Sequence, residues 1–393
     1  SPQGRHAIQR ARLRAVLIRV KGGDFRKWYG PGNNFVRYTN DGDDLIEVVR
    51  AKYPRISDPE FVIKNRAYYF REGITWTDIS LLVSARFLPS GYIFDTAGPM
   101  AFFRDEKSML LALSFLNTNL SAQYRQILNP SLHFTLGDFE NLPFPRIEPN
   151  ARVERDVRQC IEITHLDWDA YERSWDFQSL RLLTASSDPT STLESSYTAW
   201  VTQNRGTIAE LKRLEEDNNR LFIDAYGLQD ELTPRVPIEQ ITLTVNPAYR
   251  YGGKLSEEEL WTRFRENTMQ ELVSYAIGCM MGRYSLDAPG LIYAHSGNEG
   301  FDPSRYSRFP ADADGIVPVT DTEWFDDDAC TRVVEFVSVG WDKAQLEQNL
   351  QFLADNLSPK RGEASRDTIR RYLCDRFFKD HLQTYKKRPI YWL

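Results

Sequence analysis

Apolar and polar positions follow two rhythms along this chain. Between residues 25 and 100 the apolar positions come in short runs, 61–70, 81–88 and 91–96, rich in aromatic and β-branched side chains. Runs of that length between turn residues predict strands. GPGNN at 30–34 and NDGDD at 40–44 supply the turns. From residue 105 the period lengthens. Met109, Leu110, Leu113 and Leu116 recur at helical spacing, with Asp105 and Glu106 suited to a first turn, so a helix is predicted over 105–128. The prolines of LPFPRIEP at 142–149 end this unit. The pattern predicts an α+β domain of about 130 residues.

The rear of the chain keeps the helical period. Residues 151–164 predict a helix, and the Ser/Thr-rich stretch 184–198 predicts a loop or hinge. A long helix is predicted from about 200 to 226, striped by Ile208, Leu211, Leu214, Leu221, Phe222 and Ala225 and stopped by Gly227. Ser256 followed by Glu259 forms a capping box, and Ser365 is placed to cap a helix carrying Ile369, Tyr372 and Leu373. The expected fold class is therefore α+β, a mixed α/β domain followed by a mostly helical C-terminal region. The expected divisions are 1–19, 20–150, 151–204 and 205–393.

Composition narrows the function classes. The 393 residues are 41% hydrophobic, enough for buried cores in two or three domains. No apolar run approaches the roughly 20 residues of a membrane span, and no cleavable leader pattern opens the chain, so a cytoplasmic protein is expected. Cys160, Cys279, Cys330 and Cys374 stand far apart, which argues for free thiols rather than a zinc site. Net charge is −6, but residues 1–150 hold 20 basic against 15 acidic side chains while residues 151–393 hold 29 against 40. A basic front and acidic rear suit a DNA-facing domain carried on another module. Much of the excess comes from the arginines at 5–19.

Two tracts carry more specific information, YYFREGITW at 68–76 and GYIFDTAGP at 91–99. They resemble the target-recognition region of the PglX-type adenine-specific DNA methyltransferases of BREX phage-defence systems, and more distantly the type IIG restriction–methyltransferases. KGGDFRKWYG at 21–30 is similar to the entry into that region, and NPSLHFTLGDFENLPFP at 129–145 to its exit. LDWDAYERSWDF, YGLQDELTPRVPIEQITLTVN, YAIGCMMGRYSLDAPGLIY and FFKDHLQTYKKRPIYWL continue the resemblance in order. Residues 1–19 match no family segment, and family members continue past Leu393. The resemblance implies a parent enzyme that moves a methyl group from S-adenosylmethionine to adenine N6. It also implies double-stranded DNA, an N-terminal methyltransferase domain and other BREX proteins as partners.

The catalytic parts of such an enzyme are missing from this sequence. The Asn-Pro-Pro-aromatic tetrapeptide that holds a flipped adenine needs adjacent prolines, and the chain has no Pro-Pro pair. Asn129-Pro130 and Asn246-Pro247 continue without a second proline, and GPG at 30–32 is a lone turn. The chain is expected to bind no cofactor of its own. Ser296 after His295 reads as a loop, and Asp326, Asp327 and Asp328 read as acids opening a helix at 329–337. For DNA contact the candidates are Lys21, Arg26, Lys27 and Trp28, then Lys64, Asn65, Arg66, Arg71 and Trp76. Lys27 beside Gly-Gly and Trp28 suits a phosphate contact, and Arg71 suits a bidentate guanine contact. The competing readings are a solvated charge paired with Glu72 for Arg71, and core packing for Tyr68, Tyr69, Phe70 and Trp76. A non-catalytic scaffold in a defence complex, or a remnant of a disrupted gene, are the alternative functions.

Overall fold

The computed structural model describes residues 16–20, 22–32, 34–80, 82, 84–144, 147, 151–295 and 299–390. Lys21, Ser296 and most of the segment 1–19 lie outside these residues. The chain forms two compact units, and each is discontinuous. The first joins the chain up to Trp168 with Thr207–Tyr249; the second joins Asp169–Gly206 with the chain from Arg250 onward. The contiguous segments expected from the sequence, 20–150, 151–204 and 205–393, thus contrast with units that each use two stretches of chain.

The first unit holds two small sheets. Strands β1 (Val16–Val20), β2 (Asn34–Arg37) and β5 (Ile93–Phe94) form one, ordered β2-β1-β5. β1 runs antiparallel to β2 and parallel to β5. Strands β3 (Gly73–Trp76), β4 (Ala85–Leu88) and β6 (Met100–Ala101) form the other, ordered β4-β3-β6. β3 is central there and buried at every position, as a strand covered on both faces must be. Gly73 is required in it, because a Cβ would lie 2.6 Å from the Ala101 carbonyl oxygen. Val20, Leu88 and Met100 pack together with Tyr92, Phe94 and Phe102.

Two expectations change here. Residues 61–70 form no strand; they make two short 3-10 turns, Pro59–Phe61 and Arg66–Tyr68. Asn65 and Phe70 adopt φ of 59° and 68°, which breaks an extended ladder. Their aromatic content does not make a strand, because the local turns take up the backbone, although Phe70 donates to the Tyr92 carbonyl at 2.9 Å and accepts from the Gly91 amide at 3.1 Å. The single helix expected over 105–128 is two helices, α2 (Glu106–Leu116) and α3 (Asn119–Leu128), preceded in the chain by α1 (Asp43–Lys52). Asn117 leaves the helix to pair with both backbone groups of Ala85, donating at 3.0 Å and accepting at 2.9 Å. Thr118 then caps α3 by accepting from the Ser121 amide. Every residue from Met109 to Leu116 is buried, so α2 is apolar on all sides.

Helices α4 (Leu136–Glu140), α5 (Ala151–Asp169) and α6 (Leu193–Tyr226) follow. α6 starts earlier than expected, and Gly227, at φ 66°, ends it as anticipated. Its residues from Thr207 on belong to the first unit, and the preceding ones to the second.

The second unit is helical, and the α+β class expected for the chain holds. α7 (Glu257–Met280) opens on the predicted Ser256–Glu259 capping box. α8 (Ala329–Gly340) opens on Asp328, which accepts from the Thr331 amide and pairs with Arg370. α9 (Leu346–Asp355), α10 (Ser365–Tyr372) and α11 (Phe378–Thr384) complete it. Ser365 is the first helical residue of α10 rather than its cap, and its hydroxyl donates to Gln351. Phe264, Leu272, Val273, Phe336, Leu350 and Ile369 are fully buried. Among the described residues no helix is long and apolar enough to cross a membrane.

The Glu172 carboxyl of this unit accepts from Tyr385 at 2.6 Å through one oxygen, while its other oxygen is buried without a partner among the described residues. Burial pushes it up to about 7 from an ordinary 4.5. Below 4.5 it is protonated whether the chain is folded or not; above that the unfolded chain releases the proton first. Stability is therefore expected to fall as pH rises from about 4.5 to about 7, by on the order of 3 kcal/mol. Glu172→Gln should flatten this window in denaturant titrations, and an unchanged slope would refute the assignment.

Candidate nucleic-acid interface

Lys21 lies outside the described residues, and the other eight candidate side chains separate into a buried and a surface group. Arg26, Lys27 and Trp28 are interior. Arg26 pairs with Asp167 at 2.9 Å and donates to the carbonyls of Tyr29 and Thr164 and to the Thr244 hydroxyl. Asp167 also accepts from the Thr244 and Val245 amides at 2.8 and 3.0 Å. Lys27 pairs with Glu215, whose second oxygen accepts from the Trp28 indole at 2.7 Å. The Lys27 and Glu215 side chains are only 6% and 2% exposed. Trp28 bonds β4 through its backbone, donating to Ala85 at 2.9 Å and accepting from Phe87 at 2.8 Å.

This arrangement corrects the expectation that residues 26–28 follow a phosphate backbone. Their charges are satisfied by carboxylates on α5 and α6, and DNA cannot reach them without opening the unit. Trp76 is corrected likewise. It is buried, donates to the Phe134 carbonyl at 2.8 Å and stacks on Phe139 at 5.1 Å. Beside these groups Arg86 is wholly buried. It donates to the Thr77 hydroxyl at 3.1 Å, and among the described residues its guanidinium has no carboxylate and its Nε and Nη1 have no partner. Burial, with the Arg26 charge nearby, lowers it to about 10.

Lys64, Asn65, Arg66 and Arg71 lie together on the surface. Residues 51–72 are exposed along most of their length, with Tyr69 the buried anchor. Lys64 sits 5.8 Å over the Phe61 ring, Arg71 5.0 Å over Tyr68 and Lys52 5.5 Å over Tyr53. Arg66 donates to the Asp41 carbonyl. Arg71 has no carboxylate partner among the described residues, so the competing pairing with Glu72 is not made. Tyr68 and Phe70 are 44% and 39% exposed, whereas core packing was the competing reading for both. The stretch carries five cations, Lys52, Arg55, Lys64, Arg66 and Arg71, against Asp58, Glu60 and Glu72. Cations held over exposed aromatic rings can meet phosphates and bases at once.

Over 386 residues, 95% of its length, the chain is 38% identical to the adenine-specific methyltransferase BrxX of Escherichia coli O9:H4 (strain HS). It is 37% identical over 381 residues to the adenine-specific methyltransferase PglX of Lacticaseibacillus casei (strain Zhang). The chain is similar to part of these methyltransferases. It spans about 30% of the length of each relative. The resemblance read from residues 68–76 and 91–99 therefore extends along nearly the whole chain. No protein-family model matches it.

Sequence reasoning missed the carboxylates that claim the buried cations. Glu215 lies on the apolar stripe of α6 beside Leu211 and Leu214, and Asp167 follows Val153, Val157, Cys160 and Thr164 on the buried face of α5. An acid inside an apolar stripe was the available signal. Removing one member of a buried pair strands the other charge, so Lys27→Ala should cost about 3–5 kcal/mol of stability. The double variant Lys27→Met/Glu215→Leu should recover much of that loss in urea titrations. A Lys27→Ala chain of wild-type stability would show the pair to be unimportant.

Proposed function

We propose that this chain is the DNA target-recognition part of a BREX-type, site-specific adenine-N6 DNA methyltransferase. Supporting this reading is the exposed stretch 51–72, where cations ride on aromatic rings within a chain similar along its length to adenine-specific methyltransferases. Lys64, Arg66 and Lys52 contact phosphates, and Arg71 and Asn65 read base edges. The methyl group comes from S-adenosylmethionine held by a methyltransferase domain in the parent enzyme, which works in the cytoplasm with other BREX proteins. The chain alone is inactive. Calorimetry with adenosylmethionine should show no micromolar binding, and the purified chain should methylate no DNA.

A second reading, a non-catalytic scaffold, is favoured by one feature of the helical unit. Trp324 and Ile316 are 74% and 69% exposed beside Asp321, Glu323, Asp326 and Asp327. Such an acidic, apolar loop repels DNA and suits a basic protein surface. Duplex binding by the chain favours recognition, and its absence favours the scaffold.

Because residues 151–168 and Thr207–Tyr249 fold with the front of the chain, point substitutions test the interface better than truncation at residue 150. Lys64→Ala should weaken binding on all duplexes alike and lower the salt slope by about 1. In the parent-length enzyme Arg71→Ala should cost about 1–3 kcal/mol on the correct site and much less elsewhere. Methylation-site sequencing and titrations at two salt concentrations read both. An unchanged motif and affinity in Arg71→Ala would remove Arg71 as a base reader.

A further inference from the structure

The cationic stretch carries an exposed apolar tip. Phe61 is 72% exposed and Val62 follows it at 41%, whereas Ile63 turns partly inward. The tip is held in shape. Pro59 opens the 3-10 turn, Asp58 accepts from the Glu60 amide at 2.9 Å, and the Val62 and Ile63 amides both donate to the Pro59 carbonyl at 3.0 Å. A phenylalanine on a flexible loop can fold back onto the protein; one on a hydrogen-bonded turn cannot do so without breaking the turn. Keeping this ring in water forgoes roughly 1.5–3 kcal/mol of burial.

Charge defines what covers it. Lys64 lies 5.8 Å from the ring centroid, Arg66 is two residues further, and Lys52 and Arg55 precede the turn. Of the acids on the turn, Asp58 is occupied in capping it. An apolar ring flanked by cations matches a polyanion with an apolar interior, which is the construction of duplex DNA.

We propose that Phe61, backed by Val62, inserts between stacked bases of the bound duplex and opens one base step, while Lys64 and Arg66 hold the flanking phosphates. This rests on the DNA-recognition reading above and adds a mechanical role to it. Apolar wedges of this kind unstack a step and bend the duplex, which eases the extrusion of a nucleotide for chemistry.

The test uses the 393-residue chain at low salt with mixed-sequence duplexes carrying 2-aminopurine at successive positions. Binding should raise the fluorescence of an unstacked probe. Phe61→Ala should abolish the rise and weaken binding about tenfold, in line with loss of one base–aromatic contact. Phe61→Leu should retain most of the rise, since leucine also serves as a wedge. Lys64→Ala should weaken binding yet keep the rise at saturation. All three variants should melt within a degree or two of wild type, as expected for exposed positions. Duplex binding without a fluorescence rise, or a Phe61→Ala chain that behaves as wild type, overturns the wedge and leaves recognition standing. No duplex binding by the wild-type chain overturns both. A Phe61→Ala variant with unchanged DNA binding but weakened docking to the remainder of a BrxX-length enzyme shows the ring to be a protein contact and overturns the wedge.

Discussion

The first unit depends on two buried ion pairs made by consecutive residues. Arg26 and Lys27 extend to Asp167 on α5 and Glu215 on α6, and Trp28 between β4 and Glu215 locks the same segment to a sheet. Such pairs add little net stability, since desolvating four charges offsets most of their attraction. Their effect is to exclude other arrangements. A shift of one residue along 24–29 would leave a cation facing apolar side chains and a carboxylate unpaired. That constraint explains why the unit is assembled from separate parts of the chain.

It also changes how the basic front half is understood. A count of arginines and lysines treats every cation as a possible DNA contact, but Arg26, Lys27 and Arg86 are interior. The cations held over aromatic rings between residues 51 and 72, Lys52, Lys64 and Arg71, remain at the surface. There the backbone turns away from strand geometry, so aromatic side chains that would otherwise fill a core remain at the surface.

Local signals and tertiary ones differed in legibility. The capping box at Ser256, the stop at Gly227 and the apolar α2 follow from spacing alone, because each is decided within a few residues. The break at Asn117 was not legible, since the Ala85 backbone that satisfies it is 32 residues away. Nor was the burial of Lys27, which Glu215 decides, whereas for Trp76, packed against Phe134 and Phe139, core packing was already the competing reading. The tract 61–70 misled for the opposite reason: its composition suits a strand, but positive φ at Asn65 and Phe70 and the local turns prevent one. The exposed members of the candidate set, Lys64, Asn65, Arg66 and Arg71, were identified by residue type, whereas their clustering with Phe61 and Tyr68 required the turns.

The separation of 188 residues between Lys27 and Glu215 sets an order of events during synthesis. A ribosome adding about 5–20 residues per second needs roughly 10–40 s to bring Glu215 out after Lys27. During that interval the front segment carries cations without carboxylates and a tryptophan without its acceptor. Residues 26–28 thus become native only after a much later part of the chain has emerged, and until then nothing holds their charges inside the fold.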